Sequence, residues 1–263
     1  LYLDANNLYG WAMSQYLPVS DFRWMHAGVL VALTIDWICS LAWDSEDGYI
    51  FEVDLSPVNL DRFSDYPLAP ERKSINGTQL SPFQRKILRT QFEKENESRK
   101  VKLTDEQIEA KVDSYVSAQK LVPDMCEKKK YILHYRNLQL YLQLGWKVTK
   151  IYRVLCFKQK AWLEPYIRAN TLKRQQATSE FEKDFFKLMN NAFFGKTMEN
   201  VRKRRNVDIV STPDKLKKLV AQPTFKSITI FNEDISAVER IRATVHMIKP
   251  IYIGMCVLDL SKL

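Results

Sequence analysis

Two short stretches far apart in the chain carry residues that can do chemistry together. Residues 1–10 (LYLDANNLYG) set a carboxylate, Asp4, at the end of an apolar run, followed at once by a turn and an aromatic residue, Tyr9. Residues 187–195 (KLMNNAFFG) set Lys187, Asn191 and Gly195 four positions apart, and Lys183 extends the series. On a helix those positions share one stripe. A carboxylate at a strand end can hold a divalent metal, while the amides of a following helix, here Asn7 and Leu8, face phosphates. Phosphoryl transfer to a sugar hydroxyl uses metals about 3.5–4 Å apart, held mainly by carboxylates. A cationic stripe screens the charge of a triphosphate during transfer. The pairing therefore points to nucleotidyl transfer. Either stretch alone is as well satisfied by a helix-capping Asp4 or a solvated lysine face.

Other side chains fall in with that chemistry. A flat ring at Tyr9 beneath a nucleotide sugar collides with a 2′-hydroxyl and so selects deoxynucleotides; an ordinary half-buried aromatic is the alternative. Gly195 lets a base pair approach the backbone closely. Phe181, Phe185, Leu188 and Met189 occupy the remaining positions of the same helix and are expected to form its core face. Arg168, Lys173 and Arg174 on the preceding helix are placed to reach the same phosphates across a hairpin. Lys196 and the run Arg202-Lys203-Arg204-Arg205 suit contacts to DNA phosphates, although such a run also serves as a nuclear address or a helix end. Glu52 and Asp54 alternate onto one face of a strand, where a structural role is favoured over metal ligation.

The elements that must position these residues can be read from local signals. Residues 1–5 read as a strand, with Asn6 or Asn7 capping a short helix that Pro18 helps to end. Residues 49–55 (YIFEVDL) form a second strand. Ser81-Pro82-Phe83-Gln84 and Thr104 to Gln107 are capping boxes, the second opening a charged helix through about Lys120. Residues 71–125 thus read as a charged helical insertion. A helix over about 134–144 stops at Gly145. Residues 146–157 are a strand pair or one bent strand. Two helices follow at about 161–176 and 180–201, with Ser179 and Glu182 as a third capping box. An α+β stretch ends near Gly254, and residues 255–263 read as the first turns of a helix.

Composition bounds the function. The chain has 263 residues, 46% of them apolar, which is enough for one or two cored domains. Its formal net charge is +9, and the charge is uneven. Residues 1–70 carry two basic and ten acidic residues, whereas the remaining 193 carry 38 basic and 21 acidic. An acidic block beside a basic one suits metal carboxylates next to a phosphate track, or simply an uneven solvated surface. Four scattered cysteines and three scattered histidines build no zinc motif. A reduced, intracellular compartment, nucleus or cytoplasm, is expected. The most apolar run, residues 27–39, is broken by Asp36 and too short to span a bilayer, so no membrane partner is expected. The abrupt start within an apolar strand suggests a fragment.

On these residues the chain resembles the protein-primed family B DNA polymerases of viruses, linear plasmids and Polinton-type mobile elements. Their first polymerase motif has the form D-x-x-S-L-Y-P, and here it reads Asp4 through Gly10 with Asn7 and Gly10 replacing Ser and Pro. Their second has the form K-x-x-x-N-S-x-Y-G, and here it reads Lys187 through Gly195 with Ala192 for Ser and Phe194 for Tyr. YPLAPE (66–71), HYRNLQLYL (134–142), FGKTMEN (194–200) and KPIYIG (249–254) also look like the organellar and viral-type subgroup.

The resemblance implies an α+β fold: a polymerase palm, an antiparallel sheet with helices, plus an α-helical fingers hairpin and a helical insertion. Palm would span 1–60 and 202–263, the insertion 61–130, a palm–insertion junction 131–160, and fingers 161–201. It implies Mg²⁺ or Mn²⁺ at Asp4, Tyr9 as sugar gate, Lys187 on the triphosphate, and Asn191 with Gly195 along the nascent base pair. Partners would be a DNA template-primer, dNTPs and a terminal priming protein. A primer or protein hydroxyl would attack the α-phosphate and release pyrophosphate. The third motif of the family, D-T-D-S, does not occur through Leu263, nor is a proofreading exonuclease recognisable, so these 263 residues by themselves are expected to be a poor catalyst. A noncatalytic DNA-binding remnant of a mobile element is the second reading. An RNA-templated polymerase fits the 187–195 pattern less well.

Overall fold

The computed structural model describes residues 7–58 and 68–263. Asp4, the strand expected over residues 1–5 and most of the Pro/Asp-rich loop lie outside the described residues. Within them the chain divides into two compact units. Unit 1 holds residues 7–51, 133–139 and 153–263; unit 2 holds 52–58, 68–132 and 140–152. Every strand pair with a described register is antiparallel.

Unit 1 opens with a six-residue helix, α1 (Leu8–Met13). Asn7 is its N-cap, as expected, but adopts a left-handed backbone and makes no side-chain cap bond. Pro18 does not end this helix. It lies in a strand, β1 (Leu17–Trp24), that sequence reading missed. β1 is at the edge of a four-stranded sheet, where the missing N–H of proline breaks no ladder. Two short helices, α2 (Ala27–Val31) and α3 (Ile35–Ser40), precede β2 (Asp47–Pro57), the expected second strand in longer form. The sheet order is β1-β6-β2-β5, with β5 at Lys128–His134 and β6 at Trp146–Lys160. β6 is one continuous strand of 15 residues.

Unit 2 contains two of the three helices whose capping boxes were legible. α4 (Pro82–Glu97) starts at a Ser81/Gln84 capping box, and α5 (Asp105–Asp113) at a Thr104/Gln107 box. α5 stops at Asp113, short of Lys120, because Lys120–Val122 is β4, paired with β3 (Glu71–Lys73). The expected all-helical insertion therefore includes a small sheet. α6 (Tyr135–Gln143) ends before Gly145, which takes a positive φ of 99° as a helix-terminating glycine does.

α7 (Glu164–Gln176) and α8 (Glu180–Thr197) form a hairpin, the latter opened by the Ser179/Glu182 capping box. The last segment comprises β7 (Asn206–Val210), α9 (Pro213–Val220), β8 (Phe225–Ile230) and β9 (Ser236–Arg240), a three-stranded sheet of order β7-β9-β8. α10 (Ile251–Leu260) begins four residues earlier than expected.

The core of unit 1 joins α1, β1, α7 and α10 through Ala12, Met13, Leu17, Leu163, Ile167 and Cys256, with Phe193 and Phe194 of α8 packed against it. α10 approaches the end of α8 so closely that a Cβ on Gly254 would collide with Met198 and Thr197. Gly254→Val should lower stability by about 1–3 kcal/mol through overpacking, read as a lower urea midpoint for exchange of the α10 amides. An unchanged midpoint would show that Met198 swings clear.

Phe181, Phe185, Leu188 and Met189 do not form a core face. All four are exposed, Phe181 by 79%. The cause lies in what α8 packs against. Around Asn190 its contact with α7 is polar: Asn170 Nδ2 donates to Asn190 Oδ1 at 2.9 Å in a buried pair, and Tyr166 donates its hydroxyl to the Met189 carbonyl at 3.2 Å. The apolar contact is at Phe193, beside Tyr166 and the core that holds Ile167. Only the C-terminal part of α8, with Phe193, Phe194 and Thr197, reaches the core.

Candidate nucleotide site

The two stretches that sequence reading singled out meet in unit 1. The Tyr9 ring on α1 stacks on the Phe194 ring of α8, with centroids 4.5 Å apart and planes 15° from parallel. Such a pair contributes about 0.5–1.5 kcal/mol beyond its buried area and holds both rings in one orientation. Tyr9 remains 37% exposed. Phe194 as the partner was not expected; the aromatic at that position of the second stretch was the available signal.

The rest of the α8 stripe is a solvent-facing helix surface. Lys187, Asn191 and Gly195 are exposed, and among the described residues no atom beyond the neighbouring residues and local helix backbone lies within 4 Å of the place a Gly195 Cβ would take. Among the described residues Lys187 has no ion-pair partner, whereas Lys183, one turn away, has one in Glu180 at 2.7 Å. On α7, Arg168 and Arg174 are exposed, and the Lys173 ammonium sits 5.9 Å from the Phe186 ring centroid. The Asn7 and Leu8 amides stand at the start of a helix of only six residues.

Two further groups of unit 1 were not singled out. Arg136 donates from Nη1 to Gln15 Oε1 at 3.0 Å and lies 6.0 Å from the Trp11 ring centroid, and burial lowers its pKa. Glu199 gathers three cations. Arg204 grips it through two bonds of 2.6 and 2.7 Å, and Lys196 and Lys249 reach it at 3.0 and 3.1 Å. Those bonds, that from Arg204 foremost, hold the Glu199 carboxyl well below the usual carboxylate range. Lys196 and Arg204, expected on DNA, thus have an internal partner. Among the described residues Arg202 and Lys203 have no ion pair, and both are exposed.

Asp54 is accounted for by structure within unit 2. The Lys130 amide donates to its Oδ1 at 2.8 Å and the Tyr152 hydroxyl to its Oδ2 at 3.1 Å. The Lys130 bond is the main reason its pKa is lowered. Among the described residues no group of three or more His, Cys, Asp or Glu could hold a metal ion. The divalent cation implied by the resemblance, Mg²⁺ or Mn²⁺, finds no donor set there, and Asp4, its expected ligand, lies outside them. No described helix is long and apolar enough to cross a membrane.

No protein-family model matches the chain, and no curated protein sequence matches it. Among solved structures it is similar to Phi29 DNA polymerase in an orthorhombic crystal form. The TM-score is 0.46 and the identity 12%, over 98% of this chain and 33% of that one. The chain spans about a third of that polymerase's length. At that score the likeness carries no argument about chemistry.

Proposed function

We propose that the chain is the palm and fingers part of a template-directed DNA polymerase, in which α1 and α8 together receive an incoming deoxynucleoside triphosphate. The observation that carries this reading is the Tyr9–Phe194 stack, which joins the two stretches whose residue types suit nucleotidyl transfer. Further support comes from the other segments that carry the resemblance. FGKTMEN and KPIYIG meet through the Glu199–Lys249 ion pair and at Gly254, and HYRNLQLYL reaches α1 where Arg136 lies 6.0 Å from the Trp11 ring centroid.

In this reading each residue has a distinct task. Lys187, a cation with no ion pair among the described residues, meets the triphosphate. Asn191 and Gly195 present a polar group and bare backbone to the nascent base pair. Tyr9, propped by Phe194, lies under the sugar and excludes a 2′-hydroxyl. Asp4 is the carboxylate proposed to hold Mg²⁺ or Mn²⁺, which when bound supplies charge screening at the phosphates. Arg174 and Lys183 add positive potential at longer range. The DNA template-primer and a priming protein remain part of the same proposal.

Fluorescent dNTP titration of the chain tests it. Saturable binding that is weakened in Asp4→Ala and in Lys187→Ala is expected. Absence of dNTP binding alongside intact DNA binding would instead favour the noncatalytic remnant. In a polymerising full-length protein, Tyr9→Val should relax discrimination against ribonucleotides by roughly 10- to 100-fold, the range available to a steric pocket contact. Unchanged sugar selectivity in single-nucleotide incorporation would remove Tyr9 from the gate.

A further inference from the structure

A second cationic feature lies on unit 1, built by the basic run after α8 and the three-stranded sheet. A concavity of about 510 Å³ is lined by seven cations and one carboxylate, Glu239. The cations differ in how they are held. Arg204 is bound to Glu199, and Arg240 to Asp208 at 2.7 Å. Lys226 and Arg205 share Glu239, at 2.8 and 3.5 Å. Among the described residues Arg202, Lys203 and Arg242 make no ion pair. Convergent like charges in a concave wall focus a positive potential and favour an anion there.

Local structure explains the convergence. The run Val201–Lys203 is a single 3-10 turn, so successive basic side chains fan outward and do not stack along one helix face. β9 is the central strand, and its Val238 is fully buried against Val210 and Leu219. Alternation along the strand turns the next residue, Glu239, to the opposite face, where it lies between Val207 of β7 and Ser227 of β8. Arg242 is steadied by its Nε bond to Asn206 Oδ1 at 3.1 Å.

We infer that this concavity binds consecutive phosphodiesters of a nucleic-acid strand, with Glu239 as a resident counter-charge that a phosphate displaces from Lys226 and Arg205. Arginine offers paired donors that match phosphate oxygens. Several cations arrayed along one wall suit a chain of phosphates better than an isolated one. Backbone contacts of this kind grip without reading sequence. The site is separate from the α1–α8 pair, and the inference stands whether or not the chain transfers nucleotides.

Fluorescence anisotropy with a labelled single-stranded 20-mer over a salt series tests this. Arg205→Ala combined with Arg242→Ala should weaken binding by roughly tenfold or more and flatten the salt slope by about 1.4, since each lost phosphate contact removes about 0.7 for a single strand. Glu239→Gln should tighten binding several-fold, a gain that misfolding cannot produce. Lys187→Ala should leave this binding intact, which separates failure here from failure of the nucleotide site. Unchanged affinity in the double variant, or no gain in Glu239→Gln, overturns the inference. Inorganic tripolyphosphate binding as tightly as the 20-mer would also overturn it, by showing a free polyphosphate as the ligand.

Discussion

Lys187→Ala should weaken dNTP binding by roughly 10- to 100-fold, the worth of one charge-assisted contact to phosphate, and leave oligonucleotide affinity almost unchanged. The expectation rests on the setting of this lysine. It is exposed on α8, and among the described residues it has no ion pair that its loss would orphan. Its replacement by alanine, a better helix former, should therefore shift stability by less than about 0.5 kcal/mol. Competition titration with an unlabelled dNTP, beside anisotropy with the 20-mer, separates the two affinities. Loss of oligonucleotide binding with dNTP binding intact would move Lys187 into the phosphate track. Lys183→Ala serves as the internal comparison. That lysine is one turn away but paired with Glu180, so its removal should change dNTP affinity much less.

Lys128→Met should destabilise unit 2 by about 3–5 kcal/mol, the usual cost of removing one partner from a buried ion pair. The Lys128 side chain is fully buried and binds Asp124 at 2.7 Å and Glu71 at 3.0 Å. Lys73 also pairs with Asp124. Burial raises the Asp124 carboxyl, but the bonds from Lys128 and Lys73 outweigh it and hold the group well below the usual carboxylate range. A group depressed in this way contributes stability that is complete above its ordinary value of about 4 and is lost as pH falls below it. The methionine variant removes one of those bonds, so its deficit should be greatest near neutral pH and shrink on acidification through about pH 4. Hydrogen exchange of the β3 and β4 amides at several pH values reads this for unit 2 alone. A deficit that is constant with pH would mean that lost packing, not charge, is responsible.

Some features were legible because their physics is local. Ser81 with Gln84, Thr104 with Gln107, and Ser179 with Glu182 each close two hydrogen bonds within four residues, and all three boxes form as read. Gly145 is found where a helix stops, with the positive φ that suits glycine. β2 was visible as a run of β-branched and aromatic residues. By contrast, β1 went unread because its pairing partner, β6, lies more than 100 residues away, and Pro18 looked like a helix terminator. The short strand at Lys120–Val122 was hidden for the same reason: what holds it is β3, some 50 residues earlier.

Amphipathic spacing misled at Phe181, Phe185, Leu188 and Met189. Periodicity identifies a stripe on α8, but not whether another element arrives to cover it. α7 meets α8 at the Asn170–Asn190 pair and at Phe193, and the apolar stripe remains exposed. The basic residues divided in a similar way. Sequence marks Lys196, Arg202, Lys203 and Arg204 alike as cations in or just beyond the end of a helix. Only in the fold does Glu199 take up Lys196 and Arg204, leaving Arg202 and Lys203 to join Arg205 and Arg242 around the concavity.

The amino-acid order alone determined the three boxed helix starts, the cationic stripe of α8 and the acidic-then-basic division of charge. Each depends on side chains within a turn or two of one another, or on charge that needs no partner to exist. Tertiary structure decided which charges stay free and which rings touch. Tyr9 and Phe194, 185 positions apart, stack because the α1, α8 and α10 helices share a core, and burial across such distances is a property of packing that no local pattern encodes.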